Sequence, residues 1–450
     1  MMHSMPHRRP GPRAIIADDL TGAMDTGVHF LADGSRLSLR IQSGTPLHLT
    51  GSAVNDVLVL DTESRALSPR EAYDRIRAVT SELVAEGYLP FYKKIDSTYR
   101  GNVGAEIDAM LDLLEYPAAA VISAVPKAGR TVRNGQCLVR GIPLHESESG
   151  ADRLSPHVTS STQEIVASQS ERKSVVIDRN LTLRHPAELA AELARHIKKG
   201  AKILLFDTAS DHDIRRIVKA LHLVPEPLLL VGAAGLADAL VGPGSPARSD
   251  DGSPGGAGQS SGAGHFLGSG PGLFVSGSLM RTTAEQADRL AGHMDRVGSI
   301  TLSPNSVVSD PANEMNRIVE HAVALAQSGR HVLLRTSDTS DELSETHSIA
   351  GDIARLVGRC ARQIVESCSI DTLVLSGGST AVAVIEALGV TDLRIIGEAE
   401  SGLPVCNAGI PGSERYYRIV TKAGGFGRVD SYERIMQMMD RAAARRSTAP

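Results

Sequence analysis

The sequence holds no tryptophan, and its aromatic share is only 3% of 450 residues. Few flat platforms remain on which bases or sugar rings could stack. Basic residues are not in excess either: 47 Lys and Arg stand against 52 Asp and Glu, a net charge of -5, which argues against a nucleic-acid surface. The four cysteines, Cys137, Cys360, Cys368 and Cys406, show no CxxC spacing. Neither a zinc site nor a disulfide framework is indicated, no metal ligand is assigned, and a reducing cytoplasm is the expected setting. No apolar run reaches the length of a bilayer span, and the one after Arg8, Arg9 and Arg13 is too short for a signal peptide. Missing too are a P-loop spacing and a strand-and-helix-framed GxGxxG, so neither a Walker ATPase nor a Rossmann dehydrogenase is supported. Small polar substrates held by hydrogen bonds suit what is left.

What is present is a long alternation of short apolar runs and amphipathic stretches in a chain that is 42% hydrophobic. That alternation predicts an α/β protein of two domains, each a mostly parallel sheet flanked by helices, with an interdomain cleft. Residues 1–13 read as a disordered tail and 14–241 as the first domain; 242–272, rich in Gly, Ser and Pro, is a linker or loop, and 273–450 is the second domain.

In the first half, three polar turns in a row follow strands. Ala14–Ala17 runs into Asp18 and Asp19, then Thr21, Gly22 and a helix expected over Ala23–Leu31. One Asp is expected to cap that helix. Two adjacent carboxylates at a strand end also repel each other, which is tolerable against water, a metal or substrate hydroxyls. The run Asp56–Leu60 is followed by Arg65, whose planar fork suits a carboxylate. Phe91–Ile95 leads into Lys94, Ile95, Asp96, Ser97 and Arg100, where Lys94 and Asp96 either face a ligand or form a structural ion pair. Lys127, Arg130 and Arg133 then make a basic loop that suits an anionic small molecule or is simply solvated.

In the second half the turns are rich in glycine. Ser276, Gly277 and Ser278 follow a strand, and Thr282 with Glu285 has the capping-box spacing. Thr372–Leu375 is a buried strand, Ser376, Gly377, Gly378 and Ser379 form a tight turn, and a helix is expected from about Thr380. Free N–H groups and the helix dipole make this turn a phosphate cradle, unless Ser379 is an ordinary N-cap. Ser337–Thr346 reads as a polar, acidic loop. Lys422, Gly424 and Gly425 follow another strand, suited to a nucleotide or to a plain tight loop.

The motifs IADDLTGAMDTG, KKIDSTYRGNVGAEI, AVPKAGRT, VSGSLMRTTAEQ, LVLSGGSTA and TKAGGFG, in that order from about Ala14 to Val429, resemble the four-carbon acid sugar kinase family. The resemblance implies an N-terminal domain for a sugar acid such as threonate, erythronate or an oxo-tetronate, a C-terminal domain for ATP, and a 4-phosphate product. It further implies that Asp18 or Asp19, Arg65 and the turn Lys94, Ile95, Asp96, Ser97 contact the sugar acid. Ser276 or Ser278, the turn Gly377, Gly378, Ser379, Thr380, and Gly424 or Gly425 would contact the nucleotide. For phosphoryl transfer from ATP with Mg2+, Asp96 or Asp19 is expected to accept the hydroxyl proton, with Asp96 preferred. Arg65 and Lys94 would pair with the substrate carboxylate, and Arg100 or Lys127 would stabilise the γ-phosphate.

Two departures from the family pattern stand out. Ser379 occupies a position usually acidic in the family, and DRLSPHV, Asp152–Val158, replaces the usual Asp-Pro pattern. At this point a catalytically inactive sugar-acid-binding protein stays open, as does a sugar-phosphate isomerase or aldolase whose glycine turns hold the substrate's own phosphate. The expected partners are small molecules, with no nucleic acid and no membrane, and a homodimer is the expected assembly.

Overall fold

The computed structural model describes residues 12–31, 37–41, 57–151, 155–241, 267–278, 280–336, 347–390, 392–410 and 416–447. The expected tail up to residue 11, the linker up to residue 266 and the acidic loop Ser337–Thr346 lie outside the described residues. The chain divides into two compact units, 1–246 and 247–450.

The strands of the first unit are β1 (Arg13–Ala17), β2 (Leu37–Ile41), β3 (Val57–Asp61), β4 (Leu89–Lys94), β5 (Ala119–Ile122), β6 (Arg130–Arg133), β7 (Gln136–Val139), β8 (Ile142–Pro143), β9 (Ser174–Ile177), β10 (Ile203–Phe206) and β11 (Leu229–Gly232). Its helices are α1 (Leu20–Gly27), α2 (Pro69–Ala85), α3 (Val103–Leu111), α4 (Thr162–Ala167), α5 (Arg179–Thr182), α6 (Pro186–Lys198), α7 (Asp211–Leu221) and α8 (Ala234–Val241). The main sheet runs β2-β3-β1-β4-β11-β5-β10-β9, every pairing parallel, while β6, β7 and β8 form a small antiparallel sheet. Parallel strands buried on both faces need the continuous apolar runs seen in VLVLD of β3 and AAVI of β5. Helix α2 shows how the flanking layer docks. Pro69 and a complete Ser68–Glu71 capping box start it, and Ala72, Ile76, Val79 and Leu83 form the buried stripe. Because β1 lies between β3 and β4, the three polar turns that follow them open side by side on one sheet edge.

The second unit contains β12 (Gly272–Ser276), β13 (Val297–Leu302), β14 (His331–Thr336), β15 (Thr372–Ser376), β16 (Asp392–Glu400), β17 (Leu403–Gly409) and β18 (Tyr416–Lys422). Its helices are α9 (Arg281–Ala291), α10 (Pro304–Ser309), α11 (Pro311–Gln327), α12 (His347–Ser367), α13 (Gly378–Ala387) and α14 (Ser431–Ser447). The strand order is β13-β14-β12-β15-β18-β17-β16. Pairing is parallel as far as β18, and Ser276, Ser376 and Lys422 come into register at the strand ends. Beyond β18 the sheet turns antiparallel through β17 and β16, whose tight connection cannot supply a parallel crossover.

Several local expectations are corrected. Helix α1 begins at Leu20, not Ala23, because Asp19 caps it, and it gives way to a 3-10 turn at Val28–Phe30. Helix α13 begins at Gly378 with Gly377 as its cap, so Ser379 lies inside the first turn and is not the N-cap. The Thr282–Glu285 capping box does not form: α9 is capped at Met280 without a side-chain bond, and Glu285 pairs with Arg281 at 2.8 Å. No helix among the described residues is long and apolar enough to cross a membrane.

Candidate functional site

At the sheet edge of the first unit, Arg65 reaches across to both carboxylates that end β1. Its Nε and Nη2 donate to Asp18 at 2.8 and 3.1 Å, and its Nη1 and Nη2 donate to Asp19 at 2.9 and 2.7 Å. The fork expected to take a substrate carboxylate is thus occupied by the chain's own. Burial alone would raise the Asp18 carboxyl, but Arg65, Lys93 and Lys94 outweigh it and hold it below the usual range. Asp19 also caps α1, accepting from Gly22 N at 3.0 Å and Thr21 Oγ1 at 2.6 Å.

The third turn is equally saturated. Asp96 accepts from Thr98 N at 2.9 Å, from Thr98 Oγ1, and from Arg100 Nε and Nη2 at 3.2 and 2.8 Å, with Arg65 Nη1 3.8 Å away. Burial pushes its carboxyl up, but Arg100 and Arg65, with the hydrogen bonds of Arg100 and Thr98, win and hold it well below the usual range. Lys94 does not pair with Asp96. Its Nζ donates to Ile95 O at 2.9 Å and sits beside Asp19 and Gly22, where a Cβ on Gly22 would come within 2.3 Å of it. Ser97 is buried, and the Ile95 side chain lies in the apolar core, so Ile95 can offer a ligand only its backbone. Lys127 is mostly exposed and is drawn to Asp238 at 3.5 Å.

Sequence reasoning missed the support beneath this edge. Lys93 and Glu106, both fully buried, pair at 2.6 Å, and Ser64 Oγ donates to Glu106 at 2.6 Å. Asn102 Nδ2 donates to Ser64 O and Leu67 O at 3.0 and 2.9 Å, so the loop carrying Arg65 is held from β4 and α3. The available signal was Glu106, a glutamate on the otherwise apolar face of VGAEIDAML, whose other charge, Asp108, is partly exposed. Also missed was Asp25 on α1. It has no hydrogen-bond donor among the described residues, and burial raises its carboxyl against the pull of His29 and Lys94.

In the second unit the turns after β12, β15 and β18 touch one another. A Cβ on Gly277 would lie 2.0 Å from Thr380 Oγ1, and one on Gly424 would lie 2.1 Å from Ser278 Oγ. Gly377 has φ +101°, which disfavours any side chain there, and its N–H donates to Lys422 O at 3.2 Å. Ser276, Ser278, Gly377, Thr380 and Gly424 are therefore brought together; Gly378 and Ser379 start α13 on the same turn, and Gly425 sits on the adjoining loop. The first-turn N–H groups of α13 have no partner within the helix, which fits an incoming phosphate. Among the described residues no group of three or more His, Cys, Asp or Glu is placed to hold a metal ion.

A cavity of about 480 Å³ lies elsewhere, lined by Arg133, Asp178, Arg179, Asp207 and Ser210 among others. Arg179 is paired with Asp213, Asp207 takes the N–H groups of Asn134 and Gly135, and Asp178 and Ser210 cap helices. These groups are committed to the fold, so the strand-end turns remain the candidate sites.

Comparison with known proteins follows the same division. Residues 13–240 match a sugar-binding N-terminal domain and residues 273–431 a nucleotide-binding C-terminal domain. Over 92% of this chain and 95% of the relative, the sequence is 35% identical to a D-threonate kinase of Salmonella typhimurium. It is 28% identical to a D-erythronate kinase of Heliobacterium modesticaldum, over 93% of this chain and 94% of that one. It is 27% identical to a 3-oxo-tetronate kinase of Burkholderia multivorans, over 95% of this chain and 97% of that one. A crystal structure from Salmonella typhimurium LT2 superposes with a TM-score of 0.76 at 22% identity, covering 95% of this chain and 99% of the other, and so shares the fold. With both domain matches in order along one chain and a relative this similar over nearly its whole length, the protein belongs to the four-carbon acid sugar kinase family.

Proposed function

We propose that the protein transfers the γ-phosphoryl group of ATP to the terminal hydroxyl of a four-carbon sugar acid of the threonate, erythronate or oxo-tetronate type. The observation that carries this reading is the 35% identity to a D-threonate kinase over 92% of the chain, combined with a charged strand-end site in the first unit and glycine-lined turns in the second. Asp18 and Asp19, fixed by the Arg65 fork, accept the acid's hydroxyls, and the Lys94 ammonium beside them faces its carboxylate. Ser276, Ser278, Gly377, Gly378, Ser379, Thr380, Gly424 and Gly425 form the nucleotide turns, whose free N–H groups suit phosphate oxygens. Magnesium would neutralise charge on the phosphates and would arrive with the triphosphate, since such ions keep most of their water and take few protein ligands. Four free thiols and the use of ATP suit the cytoplasm.

Asp96 is poorly placed to be the base. A carboxylate already holding Thr98 and Arg100 and depressed in pKa is a weak proton acceptor, so its task is to anchor Arg100. Asp25, with its raised pKa and no hydrogen-bond donor among the described residues, is the acceptor we assign. The hydroxyl proton passes to Asp25 as the hydroxyl oxygen bonds the γ-phosphorus; the bond to the bridging oxygen breaks and ADP leaves. Coupled ADP release measured with D-threonate, D-erythronate and 3-oxo-tetronate tests the whole reading. ADP formation that depends on one of these acids is expected. Binding of an acid without turnover, or product formation without nucleotide, would replace it.

A further inference from the structure

The lysine of TKAGGFG is turned away from any ligand. Lys422 is fully buried at the end of β18, and its Nζ donates to Thr283 Oγ1 at 3.0 Å, Ala423 O at 3.2 Å, Gly424 O at 3.1 Å and Phe426 O at 3.3 Å. All four neighbours are oxygens, which makes the ammonium resemble a coordinated cation with the loop wrapped round it. Thr283 Oγ1 donates in turn to Gly424 O at 2.8 Å, Gln286 Nε2 reaches Phe426 O at 3.2 Å, and the Lys422 carbonyl holds Gly377 N–H. One residue thereby joins the loop after β18, the start of α9 and the turn after β15.

We propose that the Lys422 ammonium is an internal cation that holds the Ala423–Phe426 loop in its nucleotide-receiving shape, so that nucleotide affinity depends on a side chain that does not touch the nucleotide. The inference rests on the nucleotide reading of these turns and makes Lys422 a positioning residue. Among the described residues no carboxylate offsets its charge. Its surroundings are the hydroxyl of Thr283 and the amide of Gln286 on α9, the loop carbonyls, and the Tyr432 ring of α14 at 6.0 Å. Burial accordingly lowers its pKa to about 7, so the third proton of the tether is lost over the range in which enzymes are assayed.

Calorimetric titration of the full chain with ADP, for wild type, Lys422→Met and Thr283→Val, tests this. Lys422→Met keeps the bulk and removes the charge; about tenfold to a hundredfold weaker ADP binding is expected, the usual consequence of losing a charged hydrogen-bond donor. Thr283→Val should weaken ADP binding several-fold without placing a charge at risk, and thermal stabilisation by D-threonate should be unchanged in both. Wild-type affinity should fall between pH 6 and pH 9 relative to Lys422→Met, whose own profile lacks that step. A wild-type chain that binds no ADP would overturn the nucleotide reading and the tether together. Wild-type binding with both variants within about twofold, on parallel pH profiles, would overturn the tether alone.

Discussion

In the first unit the strand ends carry Asp18, Asp19, Lys94 and Asp96, all buried, with the partly exposed Arg65 and Arg100 locked to the carboxylates. The corresponding edge of the second unit carries glycines, hydroxyls and a single lysine that is spent on its own loop. Both are turns after parallel strands, so the difference lies in what each must hold. A small acid with several hydroxyls needs directional side-chain groups fixed before it arrives, and opposing charges fix one another. A triphosphate needs close backbone approach and N–H groups, which side chains would obstruct.

The largest effect should come from removing the cation on which the first edge turns. Arg65→Met strips Asp18 and Asp19 of their directed ion pair and leaves them to the nearby charges of Lys93 and Lys94, and breaking a buried pair in this way costs roughly 3–5 kcal/mol. Urea denaturation should show that loss together with abolished threonate turnover. Arg65→Lys should not restore activity, since an ammonium cannot serve two carboxylates through four directed bonds. Retained kcat in Arg65→Lys would mean that charge alone, without the fork, organises the edge.

On the second edge the matching lesion is steric. Gly277→Ala places a methyl 2.0 Å from Thr380 Oγ1 and 2.8 Å from its Cβ, so the turn after β12 must move away from the start of α13. Overpacking of this kind costs about 1–3 kcal/mol, and KM for ATP should rise about tenfold or more while stabilisation by D-threonate stays as in wild type. An unchanged KM for ATP would detach Gly277 from the nucleotide.

These contrasts were only partly legible in the sequence. Strand-end turns announce themselves because a buried parallel strand is a short apolar run and the polar residues after it have one edge to occupy. Which turn meets which follows from strand order, and the partner of Arg65 stands 47 and 46 residues away. Local pattern could offer its fork a carboxylate without saying whose. Capping failed for a similar reason: Thr282 and Glu285 have the right spacing, but Arg281 captures the glutamate, and the backbone of Gly377 starts α13 before Ser379. The Lys93–Glu106 pair was hidden because burial of a lysine beside an exposed-looking neighbour is a tertiary fact. From the sequence Lys422 suits a nucleotide as well as a tight loop, and only its distances show that it faces inward.

Acid should separate carboxylates within the first edge. Asp96 has a folded pKa below its unfolded value of about 3.9. Its contribution is therefore fully present above that unfolded value and is lost as pH falls through the lower folded one. The stability difference between wild type and Asp96→Asn should be flat from neutrality to about pH 4 and shrink below it. Asp25 has the opposite sign, being raised by burial, and it costs stability as pH rises past the unfolded value. Asp25→Asn should be no less stable than wild type near neutrality, yet kcat should fall about a hundredfold or more and lose its acid limb. Asp96→Asn should keep that limb, and a limb that persists in Asp25→Asn would return the proton to another group.

The smallest effect comes from carrying a carboxylate into the edge of the second unit. Ser379 is exposed in the first turn of α13, and Ser379→Asp puts a carboxylate where the helix dipole favours it, worth about 0.3–1 kcal/mol of stability. The same carboxylate opposes phosphate oxygens competing for those N–H groups, so ADP without magnesium should bind more weakly than to wild type. If an acidic residue at this position works by meeting a phosphate-bound magnesium, adding the ion should recover the lost affinity and carry it past wild type. Titrations with and without magnesium decide the matter. A loss that magnesium leaves untouched would mean that the turn functions best without charge, as its glycines and hydroxyls already suggest.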